Sequence, residues 1–300
     1  MVHRRTETGW AVLAPAKLNL YLEVLGRRDD GYHEVETLVV PVRLCDELSV
    51  RPQHSGISLR LSPRLSNADN VPADDTNLAV RAVRLLALRA GCEQGASITL
   101  RKRIPSQAGL GGGSSDAAAA LLAANAVWQL GWSIDRLSNV AAEIGSDVPF
   151  FLAGGAAICR GRGERVESAP LPAGLPCVIV QPPTGLATPE VYSRVDTYAE
   201  PTRPDVNTRL VRLLAGLRQG DWRGVSLGLQ NRLQAAAALI SPWVDRLAEA
   251  FGRLPFIAHQ LTGSGAAYFG LCRNGSQARA LGGALAAQCL GRVFVTRICR

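Results

Sequence analysis

Lysine is nearly missing from this chain of 300 residues: of its 33 basic side chains, only Lys17 and Lys102 are lysines. Arginine serves everywhere else, so these two positions point to places that need a compact ammonium rather than a planar fork. Chance is the rival explanation for either one taken singly. No CxxC pair occurs, and no two of the seven cysteines (Cys45, Cys92, Cys159, Cys177, Cys272, Cys289, Cys299) fall within four residues of each other. That spacing excludes the usual zinc sites and a disulfide framework. The four histidines are equally scattered, without an HxxxH pair, and no metal ligand set is expected. No run of eighteen uncharged apolar residues is present, so no membrane-spanning helix is expected. The basic start "MVHRRTETGW" leads into an apolar stretch that Lys17 and Asn19 interrupt. It does not read as a secretory signal, and a cytoplasmic location is expected.

What is present is an ordinary globular composition, 47% hydrophobic and 19% charged, on a chain long enough for one large domain or two of usual size. Residues 1–150 carry 16 basic and 16 acidic side chains, so the whole net charge of +8 falls within 151–300. There it is dispersed, without the basic blocks and interleaved aromatics of a nucleic-acid groove. Neither nucleic acid nor membrane is expected as a partner, and an acidic small substrate suits the charge as well.

The segment "WAVLAPAKLNLYLEVLG" (10–26) alternates around Leu18, Leu20 and Leu22 and predicts strand, turn, strand. "ETLVVPVRLCDELSVRP", "GISLRLS" and "SITLRKRIP" predict further strands. "DDTNLAVRAVRLLALRAG" (74–91) has helical periodicity with Gly91 past its end, and "SIDRLSNVAAEIG" (133–145) predicts a helix capped by Ser133 and stopped at Gly145. The glycine, proline and charge of "GRGERVESAPLPAGLP" (161–176) mark a domain boundary; the expected units are 1–165 and 166–300. Beyond it, "CVIVQPP" is strand-like, while "NTRLVRLLAG", "DWRGVSLGLQNRLQAAAALI" and "SPWVDRLAEAFGRL" are helical. "AAYFGLC" and "RVFVTRI" are strands flanking the helix "SQARALGGALAAQ". Strands first, then helices mixed with strands, indicate an α+β fold in two lobes.

In "RIPSQAGLGGGSSDAAAALLAA" (103–124), Gly109, Gly111, Gly112 and Gly113 run directly into a stretch rich in the best helix former. A helix N-terminus offers unpaired N–H groups and a partial positive charge, and glycines ahead of it let an anion approach the backbone. Ser114 and Ser115 are candidates to cap the helix and touch a phosphate or its magnesium, with Asp116 in the first turn. The register from Gly109 puts Ser114 where a Rossmann fingerprint needs its last glycine, and neither lysine follows a glycine as a Walker A loop requires. A glycine-rich turn feeding a packed alanine helix stays open as the plain alternative.

"PSQAGLGGGSSDAA" resembles the phosphate loop of the GHMP kinases, a family of small-molecule kinases. The resemblance spans nearly the whole chain, through "APAKLNLYLEVLGRRDDGYHEVETL" (14–38), "IGSDVPFFLAGGAAICRGRGE" (144–164), "PPTGLATPEVY" (182–192), "QNRLQ" (230–234) and "LTGSGAAYFG" (261–270). It implies a two-lobed α+β fold, with an N-terminal lobe of the ribosomal S5 domain 2 type that carries ATP and a C-terminal ferredoxin-like lobe. The triple glycine and "GRRDDGYH" narrow it to a member whose acceptor is the 2-hydroxyl of 4-diphosphocytidyl-2-C-methyl-D-erythritol, in the non-mevalonate route to isoprenoids.

The resemblance also implies roles. Asp147, which alone would read as a turn residue after a helix, becomes the general base, and Lys17 orients it and offsets charge on the transferred phosphoryl group. Pro105 and Gly109, Leu110, Gly111, Gly112, Gly113, Ser114 and Ser115 line the nucleotide; Lys102, by the rarity of lysine and its place just before the loop, is a further candidate contact. Asn19 helps hold the acceptor, two residues from Lys17 on one strand face. Tyr32, His33 and Tyr192 form a cytosine pocket, Thr188 contacts substrate or phosphates, and "TGSG" (262–265) lines the second lobe. Magnesium is expected to arrive on the ATP phosphates, without a protein cage of its own.

Overall fold

The computed structural model describes residues 1–62, 71–198 and 206–299. The first half is built on β1 (Val2–Thr6), β2 (Gly9–Arg27), β3 (His33–Gln53) and β4 (Ile57–Leu61), then α1 (Leu78–Ala90) and β5 (Gly95–Arg101). Three helices follow, α2 (Gly112–Val127), α3 (Ile134–Ile144) and α4 (Val148–Ala153), and then the hairpin β6 (Ala157–Gly161) and β7 (Arg165–Ser168). The second half opens with β8 (Pro176–Gln181), α5 (Thr188–Tyr198), α6 (Val206–Gln219), α7 (Trp222–Gly228) and the two-residue β9 (Gln230–Asn231). It closes with α8 (Leu233–Ile240), α9 (Pro242–Gly252), β10 (Ala258–Leu261), β11 (Tyr268–Leu271), α10 (Gly275–Ala286) and β12 (Arg292–Arg297).

Residues 10–26 form no turn: β2 runs unbroken for 19 residues against the 21 of β3. Pro15, which has no N–H to give a ladder, is accommodated by a register shift between Pro15 and Ala16, with others between Asn19 and Tyr21 and between Val24 and Gly26. Such bulges bend a strand and re-aim its side chains. They divide the ribbon into two arms with different neighbours. Glu47–Gln53 of β3 pair with β5, whereas Val35–Val39 pair with β6. Lys17 and Asn19 lie where the arms meet.

The smaller sheet has the order β10-β11-β8-β12, antiparallel throughout. With only the strands of this sheet numbered in chain order, that is the 2-3-1-4 order of a ferredoxin-like unit. Its strands alternate between two cores, as a two-residue period demands. Cys177 and Ile179 pack with Leu18, Leu20 and Val40 of the larger sheet, whereas Val178 and Val180 pack with Leu247 and Phe251 on the other side. The chain leaves the larger sheet at Ser168 and enters the smaller at Pro176, but β9 returns to pair in parallel with Tyr21 and Leu22 of β2. That pairing breaks the single helix expected across 221–240, because Leu229 is extended and Gln230 and Asn231 are drawn to a strand edge.

The caps of α1 and α3 follow the sequence. Gly91 takes the left-handed conformation beyond α1, and the Ser133 hydroxyl accepts from Arg136 N. The alanine run acquires a physical reason in α2. Ala117, Ala118, Ala119, Ala120 and Ala124 are all fully buried, with α1, α3 and α4 and both long strands packed around the helix. A helix apolar on all sides belongs in an interior, and methyl side chains let the surrounding layers approach. Ala119→Leu should therefore cost about 1–3 kcal/mol through overpacking, read as a lower urea midpoint with unchanged slope.

Candidate active site

A cleft of about 1180 Å³ runs between the glycine loop, the end of β2, the 146–147 and 162–163 turns, the start of α5 and the 263–264 turn. That is large for a single small-molecule pocket. Of the residues expected from sequence, Lys17, Asn19, Tyr32, His33, Lys102, Pro105, Gly109, Leu110, Gly111, Gly112, Gly113, Ser114, Asp147, Thr188 and Tyr192 all line it. Ser115 does not: it is fully buried in α2.

The loop differs in detail from its sequence reading. Gly111, not a serine, is the N-cap of α2, in the left-handed conformation at φ 69°, and no side chain caps the helix. Ser114 and Ser115 fall inside the first turn, and Asp116 lies one residue beyond it. The glycines have local packing reasons as well. A Cβ on Gly109, at φ +73°, would fall 2.2 Å from the Thr262 carbonyl oxygen, and one on Gly111 would fall 2.9 Å from Lys17 Cγ and from the Phe151 ring. The glycines thus let the loop pass between the two lobes and line the cleft, with no side chain capping the helix that follows. The end of α2 fits a phosphorylated ligand: its first turn lines the cleft uncapped, and Ser115 Oγ is buried without a hydrogen-bond partner.

Lys102 lies beneath the loop. Its ammonium donates to Asp116 Oδ2 at 2.7 Å and to Asp46, and Asp46 also accepts from Arg103 N and Ile104 N. Burial works against the Lys102 charge, but the two carboxylates outweigh it and hold its pKa above the ordinary value. Burial pushes the Asp116 carboxyl well above the carboxylate range, against the opposing pull of Lys102.

Lys17 is 5% exposed. Its N–H donates to the Leu110 carbonyl at 2.9 Å, which joins β2 to the loop. Its ammonium donates to Asn19 Oδ1 at 2.6 Å and stands 3.6 Å from Asp147 Oδ2. Asn19 in turn donates to Thr37 Oγ1 at 2.9 Å. Asp147 precedes α4 without capping it, and its side chain is 45% exposed, so its carboxylate is open to the cleft. Its charge reaches its neighbours. Burial first and Asp147 second raise the Cys159 thiol to about 12 and hold the Tyr192 phenol above its usual range.

Three rings line the same cleft. His33 and Tyr192 lie 5.0 Å apart between centroids, tilted by 35°. Tyr32, 52% exposed, has the Arg162 guanidinium 4.8 Å over its ring. Thr188 Oγ1 lies 2.8 Å from Ser264 Oγ, which ties the start of α5 to the 262–265 turn. Arg162, Arg27, Gln107 and Ser146 also line the cleft and were not singled out from sequence. For Arg162 the signal was its place between two glycines in "CRGRGE". Among the described residues, no group of three or more histidines, cysteines or carboxylates could hold a metal ion, and no helix is long and apolar enough to cross a membrane.

A bare helix N-terminus beside a lysine–aspartate pair is the equipment of phosphoryl transfer, and comparison with known proteins agrees. Residues 77–155 match the GHMP kinases N terminal domain and residues 213–290 the GHMP kinases C terminal domain. The chain belongs to the GHMP kinase family. The 4-diphosphocytidyl-2-C-methyl-D-erythritol kinase of Pelotomaculum thermopropionicum is 40% identical over 268 residues, covering 89% of this chain and 90% of that protein. The enzyme of the same name from Kineococcus radiotolerans is 40% identical over 270 residues, 89% of this chain and 83% of that one. A crystal structure of 4-(cytidine 5'-diphospho)-2C-methyl-D-erythritol kinase matches this GHMP kinase with a TM-score of 0.80 and 37% identity, over 97% of this chain and 99% of that one. A homoserine kinase from Cytophaga hutchinsonii matches at TM-score 0.79 with 21% identity, over 99% and 97% of the two chains, which shows a common fold.

Gly109→Ala should lower stability by at least about 1–2 kcal/mol from the left-handed backbone alone and weaken ATP binding by displacing the loop. Gly113→Ala, whose Cβ would meet only Leu78 Cδ1 at 3.4 Å, should leave stability unchanged or slightly raised. Urea denaturation and calorimetric ATP titration of the two variants check the contrast.

Proposed function

We propose that this GHMP kinase transfers the γ-phosphoryl group of ATP to the 2-hydroxyl of 4-diphosphocytidyl-2-C-methyl-D-erythritol, in the cytoplasm, as a step toward isoprenoid precursors by the non-mevalonate route. Relatives at 40% identity carry the name of that kinase. The observation that carries the reading is the position of the Lys17–Asp147 pair in one cleft, with the bare start of α2 and the His33–Tyr192 ring pair in its walls.

In this reading Pro105, Lys102 and the segment from Gly109 to Ser114 receive the nucleotide. The main-chain N–H groups at the start of α2 take the phosphate oxygens, and the helix dipole favours their charge. Lys102 contributes from below the loop, its ammonium already shared between Asp46 and Asp116. Magnesium carried by the phosphates would lower their negative charge, and the Ser114 hydroxyl, which lines the cleft, would be a protein oxygen available to it. Tyr32, His33 and Tyr192 take the cytosine by stacking and imidazole hydrogen bonding, with Asn19 and Thr188 contacting the rest of the acceptor. Asp147 accepts the proton of the attacking hydroxyl. A loose transition state needs that proton removed late, which a carboxylate held against the hydroxyl can do. Lys17 holds the carboxylate in place and offsets charge on the moving phosphoryl group. The division into units 1–165 and 166–300 belongs to the same reading, and the two family matches fall on either side of it.

Phosphorus NMR of the product formed from ATP and the cytidyl alcohol tests reaction and regiochemistry together; activity that ignores the cytidyl group would overturn the substrate. Asp147→Asn should lower turnover by about 10²- to 10⁴-fold with ATP affinity nearly unchanged, and near-normal turnover would remove Asp147 from the role of base. Lys17→Arg should be as poorly tolerated in a steady-state assay despite its equal charge, because Gly111 and Gly263 crowd the lysine stem and ammonium. Replacing Tyr32 and His33 should mainly raise KM for the cytidyl substrate.

A further inference from the structure

The "QNRLQ" segment (230–234) takes no part in the chemistry above, yet it is held by the strand that carries Lys17 and Asn19. Gln230 and Asn231 pair with Tyr21 and Leu22, and Arg232 N donates to the Leu22 carbonyl at 2.8 Å. From this fixed base, Asn231 Nδ2 donates to the carbonyls of Leu261 at 2.9 Å and Gly263 at 2.8 Å, while its Oδ1 accepts from Leu233 N at 3.0 Å. Both amide donors and the amide oxygen are thereby used. Gln234 adds a bond from Leu261 N to its Oε1 at 2.9 Å, and Gln260 Nε2 donates to Asn19 O at 2.9 Å.

The turn held in this way bears directly on the reacting end of the cleft. Thr262 Oγ1 accepts from Asn19 N at 3.1 Å. Gly263, at φ +57°, approaches so closely that a Cβ there would lie 3.2 Å from both Lys17 Nζ and Asn19 Oδ1. The space beside the ammonium that faces Asp147 is thus set by where this turn sits. Asn231 itself does not line the cleft.

We infer that Asn231 is a positioning residue for phosphoryl transfer: its carboxamide seats the 262–264 turn against Lys17 and Asn19, so that the second lobe fixes a geometry whose chemistry lies on the first. The inference rests on Lys17 and Asp147 being the catalytic pair. It also explains why the side chain is an amide, since a carboxylate of the same shape has no hydrogen to give two carbonyls and would repel them.

Asn231→Asp in the full chain, assayed with ATP and the cytidyl alcohol at a temperature where it is fully folded, tests this. The expected result is a fall in kcat of about 10- to 100-fold, the scale set by small misplacements of reacting groups, with KM for ATP changed less than threefold. Combined with Lys17→Ala, it should add no further loss, because both changes act on the same ammonium. Wild-type kcat in the folded variant beside a crippled Lys17→Ala, or losses that multiply in the double variant, would overturn the inference while leaving the catalytic pair standing. Normal turnover in Lys17→Ala alone would overturn the pair and the inference together. Should Asn231→Asp not fold, Gly263→Ala carries the test, and wild-type kcat in that variant overturns it.

Discussion

The Lys17 ammonium is the point on which the site depends. It is buried, donates to Asn19 and faces the open carboxylate of Asp147, while its own backbone is bonded to Leu110 in the glycine loop. Strand, loop and the start of α4 thus meet at one charge, and Gly263 closes on it from the second lobe. A buried cation without partners is expensive, so these groups stabilise one another. In supplying those partners, the fold brings together what phosphoryl transfer needs.

The second lysine obeys the same logic at a lower level. Lys102 is enclosed by Asp46 and Asp116 beneath the start of α2, where a Cβ on Gly112 would come within 3.2 Å of its ammonium. A guanidinium needs room for five donors in a plane, and neither position offers it. The presence of lysine thus has a packing reason at the two places where it occurs, both against the glycine loop. Breaking such a buried pair by removing one partner strands a charge, so the triad also braces the end of α2 that faces the cleft.

Much of the site was legible in the residues. Four glycines before an alanine run announced a helix start with something to accommodate, and the caps at Ser133 and Gly91 fell where the pattern put them. Local chemistry writes such features, because a left-handed turn or an N-cap is decided within a few residues. Less legible were the contacts that cross the chain. Arg162 reaches Tyr32 over some 130 positions, and Thr188 meets Ser264 across 76. The glycines themselves carried a mixed message, since Gly109 and Gly111 answer to Thr262, Lys17 and Phe151 as much as to any ligand.

The division between the two levels is clear at β2 and β9. The sequence by itself determined the α+β character, the positions of most strands and helices, and the chemical kinds gathered in the motifs, because periodicity and turn chemistry act over short separations. Tertiary structure alone decided that residues 10–26 form one bulged strand, that Gln230 and Asn231 leave a helical run to pair with it, and that Lys17 faces Asp147. Those outcomes depend on which distant segment covers each unpaired edge and charge, and no local pattern carries that information.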